Sequence, residues 1–160
     1  MKTEITLCFD FGNSRKKLAV FSNKKIIAER ILYTDTSGEI ETLLQEFKPQ
    51  KSILSSVINH NPGIEDTLKE KTHFHKLSVA TKLNFTAPVG KPETIGADRL
   101  AIAAAAVHFF PKKNNLVIGL GSCITYNFIS QQHEFLGGAI SPGMQMRFKA
   151  MHEFTAILPL

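Results

Sequence analysis

Near the start of the chain an apolar run, Ile5-Thr6-Leu7-Cys8-Phe9-Asp10-Phe11, is broken by a single carboxylate, and a second apolar run, Leu18 to Phe21, follows after a polar stretch. That pattern is a β-hairpin whose first strand is buried on both faces, and it commits the beginning of the chain to sheet. Asp10 must find hydrogen bonds or a cation there, because an unpaired buried charge costs several kcal/mol. At the tip, Gly12 removes a Cβ, so that backbone amides can close on an anion such as a phosphate. Asn13 and Ser14 add small donors, and Arg15, Lys16 and Lys17 add positive charge. The stretch suits a phosphate-bound metal ion held at Asp10. An ordinary Asp-x-Gly-Asn hairpin turn is the plainer alternative.

With 160 residues, 43% of them hydrophobic, the chain can bury a core as one domain or as one domain and the start of a second. No apolar run is long enough to span a bilayer and the N-terminus has no charged-then-apolar leader, so a soluble cytoplasmic protein without a membrane partner is expected. Cys8 and Cys123 lie in apolar, strand-like stretches, which fits reduced thiols better than a disulfide or a zinc site. The net charge of +5 would suit an anionic ligand. Its lysines form no dense stripe and carry no interleaved aromatics, so no nucleic-acid partner is expected.

After the hairpin, Lys25 to Tyr33 reads as a third strand. An amphipathic helix follows from Ser37 with Ile40, Leu43, Leu44 and Phe47 on one face, stopped by Pro49. A buried strand over Lys51 to Ile58, a helix over Ile64 to Lys71 and a strand over His73 to Val79 complete a mixed α/β order. His73 and His75 share a strand face but have no further ligand at metal spacing. Leu83 to Lys91, with Pro88 and Gly90, reads as a loop.

The segment Pro92-Glu93-Thr94-Ile95-Gly96-Ala97-Asp98-Arg99-Leu100 runs into an alanine-rich helix ended by Pro111. Asp98 and Arg99 fall in its first turn. An acid there is either a cap favoured by the helix dipole or a general base beside a guanidinium that holds an anionic substrate. Leu116 to Cys123 then repeats the pattern of Leu7 to Ser14, with Gly121 in the place of Gly12 and a return strand over Ile124 to Ile129. Such a repeat implies two related lobes. Phe135 to Gly143 reads as a glycine-rich turn opening a helix from about Met144 to Phe154, whose N-terminus is a natural phosphate site but not a Walker A loop.

Taken in order, Asp10-x-Gly12-Asn13, Gly96-x-Asp98-Arg99, Gly121-Ser122 with Thr125, and Gly137-Gly138-x-Ile140-x-Pro142-Gly143 resemble the type III pantothenate kinases, of the acetate and sugar kinase, Hsp70 and actin superfamily. The resemblance implies an α/β fold of RNase H-like (actin-like ATPase) lobes, here residues 1–113 and the beginning of a second lobe over 114–160. It also implies a homodimer that phosphorylates pantothenate with ATP and Mg2+ at the first step of coenzyme A synthesis. By position, Asp10, Phe11, Gly12, Asn13, Ser14, Arg15, Lys16, Lys17 and Ser122 would contact ATP and its magnesium. Gly96, Ala97, Asp98 and Arg99 would hold pantothenate, with Asp98 as catalytic base.

Several positions depart from the family pattern. Gly119 stands where an acidic ligand of a monovalent cation (K+ or NH4+) is usual, Ser122 where a threonine is usual, and Asn127 where an aspartate is frequent. Val89 stands near the place of a substrate-contacting tyrosine. Such kinases are also longer than this chain, so it reads as an N-terminal portion. The departures motivate a second reading, a non-catalytic nucleotide-binding relative. An RNase H-like nuclease would need three or four clustered carboxylates, and only Asp10 and Asp98 are suitably placed.

Overall fold

In the computed structural model, which describes residues 4–160, the opening hairpin is β1 (Ile5–Phe11) and β2 (Lys16–Ser22), extended by β3 (Lys25–Leu32). Then come α1 (Ser37–Phe47), β4 (Lys51–Ser56), α2 (Pro62–Lys71) and β5 (His73–Lys76). These strands form one sheet in the order β3-β2-β1-β4-β5. The first three pair antiparallel, and β4 and β5 add parallel to β1. That is the mixed sheet expected of an RNase H-like lobe.

The sheet assembles because one face is apolar at every second position. Leu7, Phe9 and Phe11 of β1 meet Leu18 and Val20 of β2 and Leu54 of β4, and all are buried. Ile40 and Leu43 of α1 and Ile64 and Leu68 of α2 close the same cluster. The other face of β1 is only half covered. Cys8 and Asp10 are partly exposed there, so the strand is not buried on both faces as its composition suggests.

The starts of α1 and α2 are fixed by their own polar residues. The Thr36 hydroxyl accepts from the Glu39 amide at 3.4 Å, and the Glu39 carboxylate reaches back to the Thr34 amide at 3.1 Å. Asn61 caps α2 through the Gly63 amide at 2.9 Å, with Pro62 at the first helical position, so the helix begins before Ile64. Lys48, at φ 48°, turns the chain out of α1 ahead of Pro49. β5 stops at Lys76, short of Val79, its ladder to β4 running from Lys51 to Leu54.

A short 3-10 turn (Pro92–Thr94) precedes α3 (Ala97–Phe109), followed by β6 (Asn115–Leu120), β7 (Cys123–Ile129), β8 (Phe135–Pro142) and α4 (Met144–Glu153). β6, β7 and β8 form an antiparallel three-stranded sheet. Two compact units result. One comprises the chain up to Ala80 with Gly96–Asp98, and the other Thr81–Ile95 with Arg99–Leu160. Among the described residues five strands precede residue 113 and three follow it, while all of α3 beyond its first two residues belongs to the second unit.

In the second unit α3 buries Leu100, Ala103, Ala106 and Val107 along one face, while Phe110, just past its end, is exposed. The segment read as a loop, Leu83 to Lys91, is tied to the sheet by Thr86, which bonds His133 O through its amide and accepts from the Phe135 amide at 2.7 Å. Phe135 to Gly143 is not a turn. It is mostly strand, with Gly137 at φ 101° and Gly138 at φ 154° inside the ladder opposite Phe128 and Asn127. Positive φ is what glycine supplies there, so a composition that reads as a turn builds a distorted strand.

The face of this sheet that carries Leu116, Ile118, Leu120 and Phe128 is open, with Leu120 81% exposed. Met144, Met146, Phe148, Met151 and Phe154 of α4 and its end are exposed as well. Ile129 and Phe135, by contrast, are buried at 0% and 1%. Expressed alone, these 160 residues are expected to self-associate, since apolar surface of this extent drives pairing. Size-exclusion chromatography with light scattering checks it, and a monodisperse monomer would contradict it.

Candidate active site

Residues 12–15 join β1 to β2, and the Gly12 amide donates to Arg15 O at 3.0 Å. That amide closes the hairpin and does not point at an incoming anion. A Cβ on Gly12 would meet Arg15 O at an ordinary 3.5 Å, so space alone does not demand glycine. Asp10 and Lys17 are direct cross-strand partners, and Lys17 Nζ donates to Asp10 Oδ2 at 3.2 Å. This is how the lone carboxylate of β1 is matched. With side chains 47% and 57% exposed, the pair is weak enough for a metal or phosphate to compete with it.

Lys16 points the other way, as alternate strand residues must. Its Nζ donates to Thr34 O at 3.1 Å and to Asp35 Oδ1 at 2.8 Å, and lies 5.9 Å from the centre of the Phe11 ring. The basic run therefore splits between two faces of the hairpin, with Asn13, Ser14 and Arg15 exposed at the tip.

The second segment returns to the same unit. Val57, just past β4, donates its amide to Phe11 O at 3.0 Å. A Cβ on Gly96 would lie 3.4 Å from Val57 Cγ1 and 2.5 Å from Asp98 Oδ1. The Asp98 carboxylate thus folds back over the space that a Cβ at 96 would take. Val57, bonded to Phe11, and Asp98 border the same space beside Gly96 at the start of α3, where a carboxylate also suits the helix dipole.

Arg99 turns onto the second sheet. Its Nε donates to Asn127 Oδ1 at 2.6 Å and its Nη2 to Tyr126 O at 3.4 Å, with the guanidinium 5.4 Å from the Phe135 ring centre. Asn127 is fully buried, and its amide donates at 3.2 Å both to Val117 O and to Thr125 Oγ1. A neutral amide can accept from the arginine and donate to two oxygens at once, which an aspartate could not. Gly119 pairs across the ladder with Thr125, whose hydroxyl lies 2.7 Å from where a Cβ at 119 would stand.

At the β6–β7 turn the Gly121 amide donates to Cys123 O at 3.0 Å, a counterpart of the Gly12 bond in the first hairpin. The Gly143 amide donates to Ser122 O at 3.0 Å, and a Cβ on Gly143 would fall 2.5 Å from that oxygen. Glycine is obligatory at this close approach, which sets the Gly121-Ser122 turn against the start of α4.

One polar network escaped the sequence reading. Asp35 accepts from Lys16 and from the Asn61 amide at 2.9 Å. The Lys16 hydrogen bond, helped by Asn61 and by nearby His60, holds the Asp35 carboxyl below its usual range against the effect of burial. His60 bridges Ser56 and Glu65 at 3.1 Å each, and Glu65 also takes Lys76 Nζ at 2.6 Å. Burial raises the Glu65 carboxyl, but Lys76 and His60 bring it net below the ordinary value. The available signal was positional: these residues cluster where β4 ends, and parallel strands collect ligand sites at their carboxyl ends. Among the described residues no three His, Cys, Asp or Glu side chains gather as metal ligands, the strand pair His73 and His75 included.

Against known proteins, the pattern of the type III pantothenate kinase family matches residues 6–160. The chain belongs to that family. A type III pantothenate kinase of Christiangramia forsetii is 42% identical over 98% of this chain, and one of Flavobacterium johnsoniae is 36% identical over 96%. The chain spans 65% and 64% of the lengths of those kinases. Among solved structures, a Campylobacter jejuni protein described as a candidate transcriptional activator of the Baf family superposes with a TM-score of 0.52. It shares 27% identity and covers 92% of this chain and 59% of its own. In this kinase family member, no helix among the described residues is long and apolar enough to cross a membrane.

Proposed function

We propose that this chain carries the phosphate and acceptor segments of a cytoplasmic, homodimeric kinase that transfers the γ-phosphoryl group of ATP to pantothenate, giving 4'-phosphopantothenate for coenzyme A synthesis. The observation that carries the reading is the family match over residues 6–160, with Gly96–Asp98 and the β1–β2 turn in one compact unit. Residues 1–113 and 114–160 are read as the first lobe and the start of the second.

Asp98 takes the proton from the attacking hydroxyl of pantothenate, and Gly96, Ala97 and Arg99 hold the acceptor. Arg99 is fixed in advance by Asn127 and the Phe135 ring, so little ordering is left to be done on binding. The turn from Asp10 to Lys17 receives the phosphates, and Ser122 contacts the nucleotide from the clamped β6–β7 turn. Asp10 fits magnesium, which is usually held by one or two carboxylates together with substrate phosphates and water. Bound there with ATP, the ion would neutralise charge on the transferring group.

A monovalent cation fits less well. Gly119 offers no carboxylate, and the Thr125 hydroxyl occupies the space above it. Activity of the full-length enzyme is therefore expected to depend less on potassium than is usual in the family. Titrating potassium against sodium at fixed magnesium checks this, and a steep potassium requirement would contradict it. The same departures, Gly119 and Asn127, favour the second reading, a nucleotide-binding relative without turnover. A direct assay for phosphorylated pantothenate separates the two.

A further inference from the structure

We propose that His60 is a positioning residue for the turn that carries the catalytic base, acting through Val57; this rests on the kinase reading of Asp98. The His60 side chain is only 6% exposed, and both ring nitrogens are engaged. Nδ1 lies 3.1 Å from Ser56 Oγ, and Nε2 lies 3.1 Å from Glu65 Oε1. The Ser56 hydroxyl also donates to Ile58 O at 3.1 Å and accepts from the Ile58 amide at 3.4 Å. The link from β4 to α2 is thereby closed on itself, with the imidazole as its cross-brace. The ring in turn meets Phe11 edge-on, with centroids 5.3 Å apart.

Glu65 is a firm anchor for that brace. Besides His60 it holds Lys76 at 2.6 Å and Lys69 at 3.7 Å, so its carboxylate is fixed from three directions. The next residue, Asn61, ties the same link to Asp35 by both its amide groups. Val57 stands on the braced link with its amide on Phe11 O, and its Cγ1 borders the space beside Gly96, 3.4 Å from where a Cβ would stand. An apolar side chain left 37% exposed at a strand end contributes little to the core, but here it backs the glycine over which Asp98 folds. A brace that slackens lets Val57 shift, and the base moves with it. Displacements of well under a bond length at a reacting group are enough to slow a reaction tenfold or more.

The test uses the full-length enzyme and three variants: His60→Gln, Val57→Ala and, as a control for lost stability alone, the buried core change Leu68→Val. The expected result is a kcat lower by about tenfold in His60→Gln and Val57→Ala, with the KM for ATP within about twofold of wild type. Leu68→Val should lower Tm comparably yet leave kcat within about twofold. If His60→Gln does not fold, Val57→Ala decides, since its side chain is largely outside the core. Unchanged kcat in Val57→Ala, or a loss no greater than in Leu68→Val, overturns the proposal while an active wild type leaves the kinase reading standing. A wild type without pantothenate turnover rejects both.

Discussion

Asp98→Asn in the full-length enzyme should lower kcat by a factor on the order of 100 or more, with the fold and ATP binding retained. Asparagine keeps the size and most hydrogen bonds of the aspartate but cannot take a proton from the acceptor hydroxyl. The structure supports a specific effect because Asp98 is half-buried in the first turn of α3, its carboxylate set over Gly96. Asp10→Asn should act differently, weakening magnesium-dependent ATP binding, since Asp10 lies at the phosphate turn opposite Lys17. Steady-state kinetics for both substrates, with circular dichroism to confirm folding, separates the two roles. Near-normal turnover in Asp98→Asn would remove it as the base.

The second large effect concerns stability. Gly138→Ala should cost about 3 kcal/mol or more, because the new methyl group would overlap the Tyr126 carbonyl and the backbone sits at φ 154°. Relief requires β8 to pull away from β7 at the pair Asn127 and Gly138, where Asn127 also anchors Arg99. Gly137→Ala is the matched comparison. Gly137 has φ 101° but nothing within 4 Å of its Cβ position, so only backbone strain applies and the cost should be nearer 1 kcal/mol. Denaturant midpoints of the two variants of the full-length protein give the difference. Equal losses, or a Gly138→Ala loss below about 0.5 kcal/mol, would contradict the close approach seen between β7 and β8.

Much of this was legible in the residues because it follows from local rules. The stripe of Ile40 and Leu43 fixes α1 and its inward side, and the alanine-rich run fixes α3 as a helix, whereas the alternation of Leu7, Phe9 and Phe11 was hidden by an apolar run that reads as burial on both faces. The repeated strand, glycine turn and strand at Leu116 is present as β6 and β7, with Gly121 bonded across its turn as Gly12 is across the first. Gly137 and Gly138 were misread because a glycine pair in sequence does not distinguish a turn from a strand that approaches its neighbour closely. The placement of Lys16 and Lys17 was hidden for a related reason: adjacent strand residues face opposite ways, so a run of charge is not a patch. Arg99 with Asn127 is a tertiary pair whose partners only the folded chain brings together, whereas Ser56, His60 and Glu65 are close in sequence but meet only because the link from β4 to α2 folds back on itself.

The central claim is tested most directly by incubating the full-length protein with ATP, magnesium and pantothenate and following the products by mass spectrometry. The account predicts 4'-phosphopantothenate and ADP in equal amounts, formed only when all three are present and suppressed in Asp98→Asn. ATP bound without phosphorylated pantothenate would contradict it and leave the non-catalytic relative as the better reading.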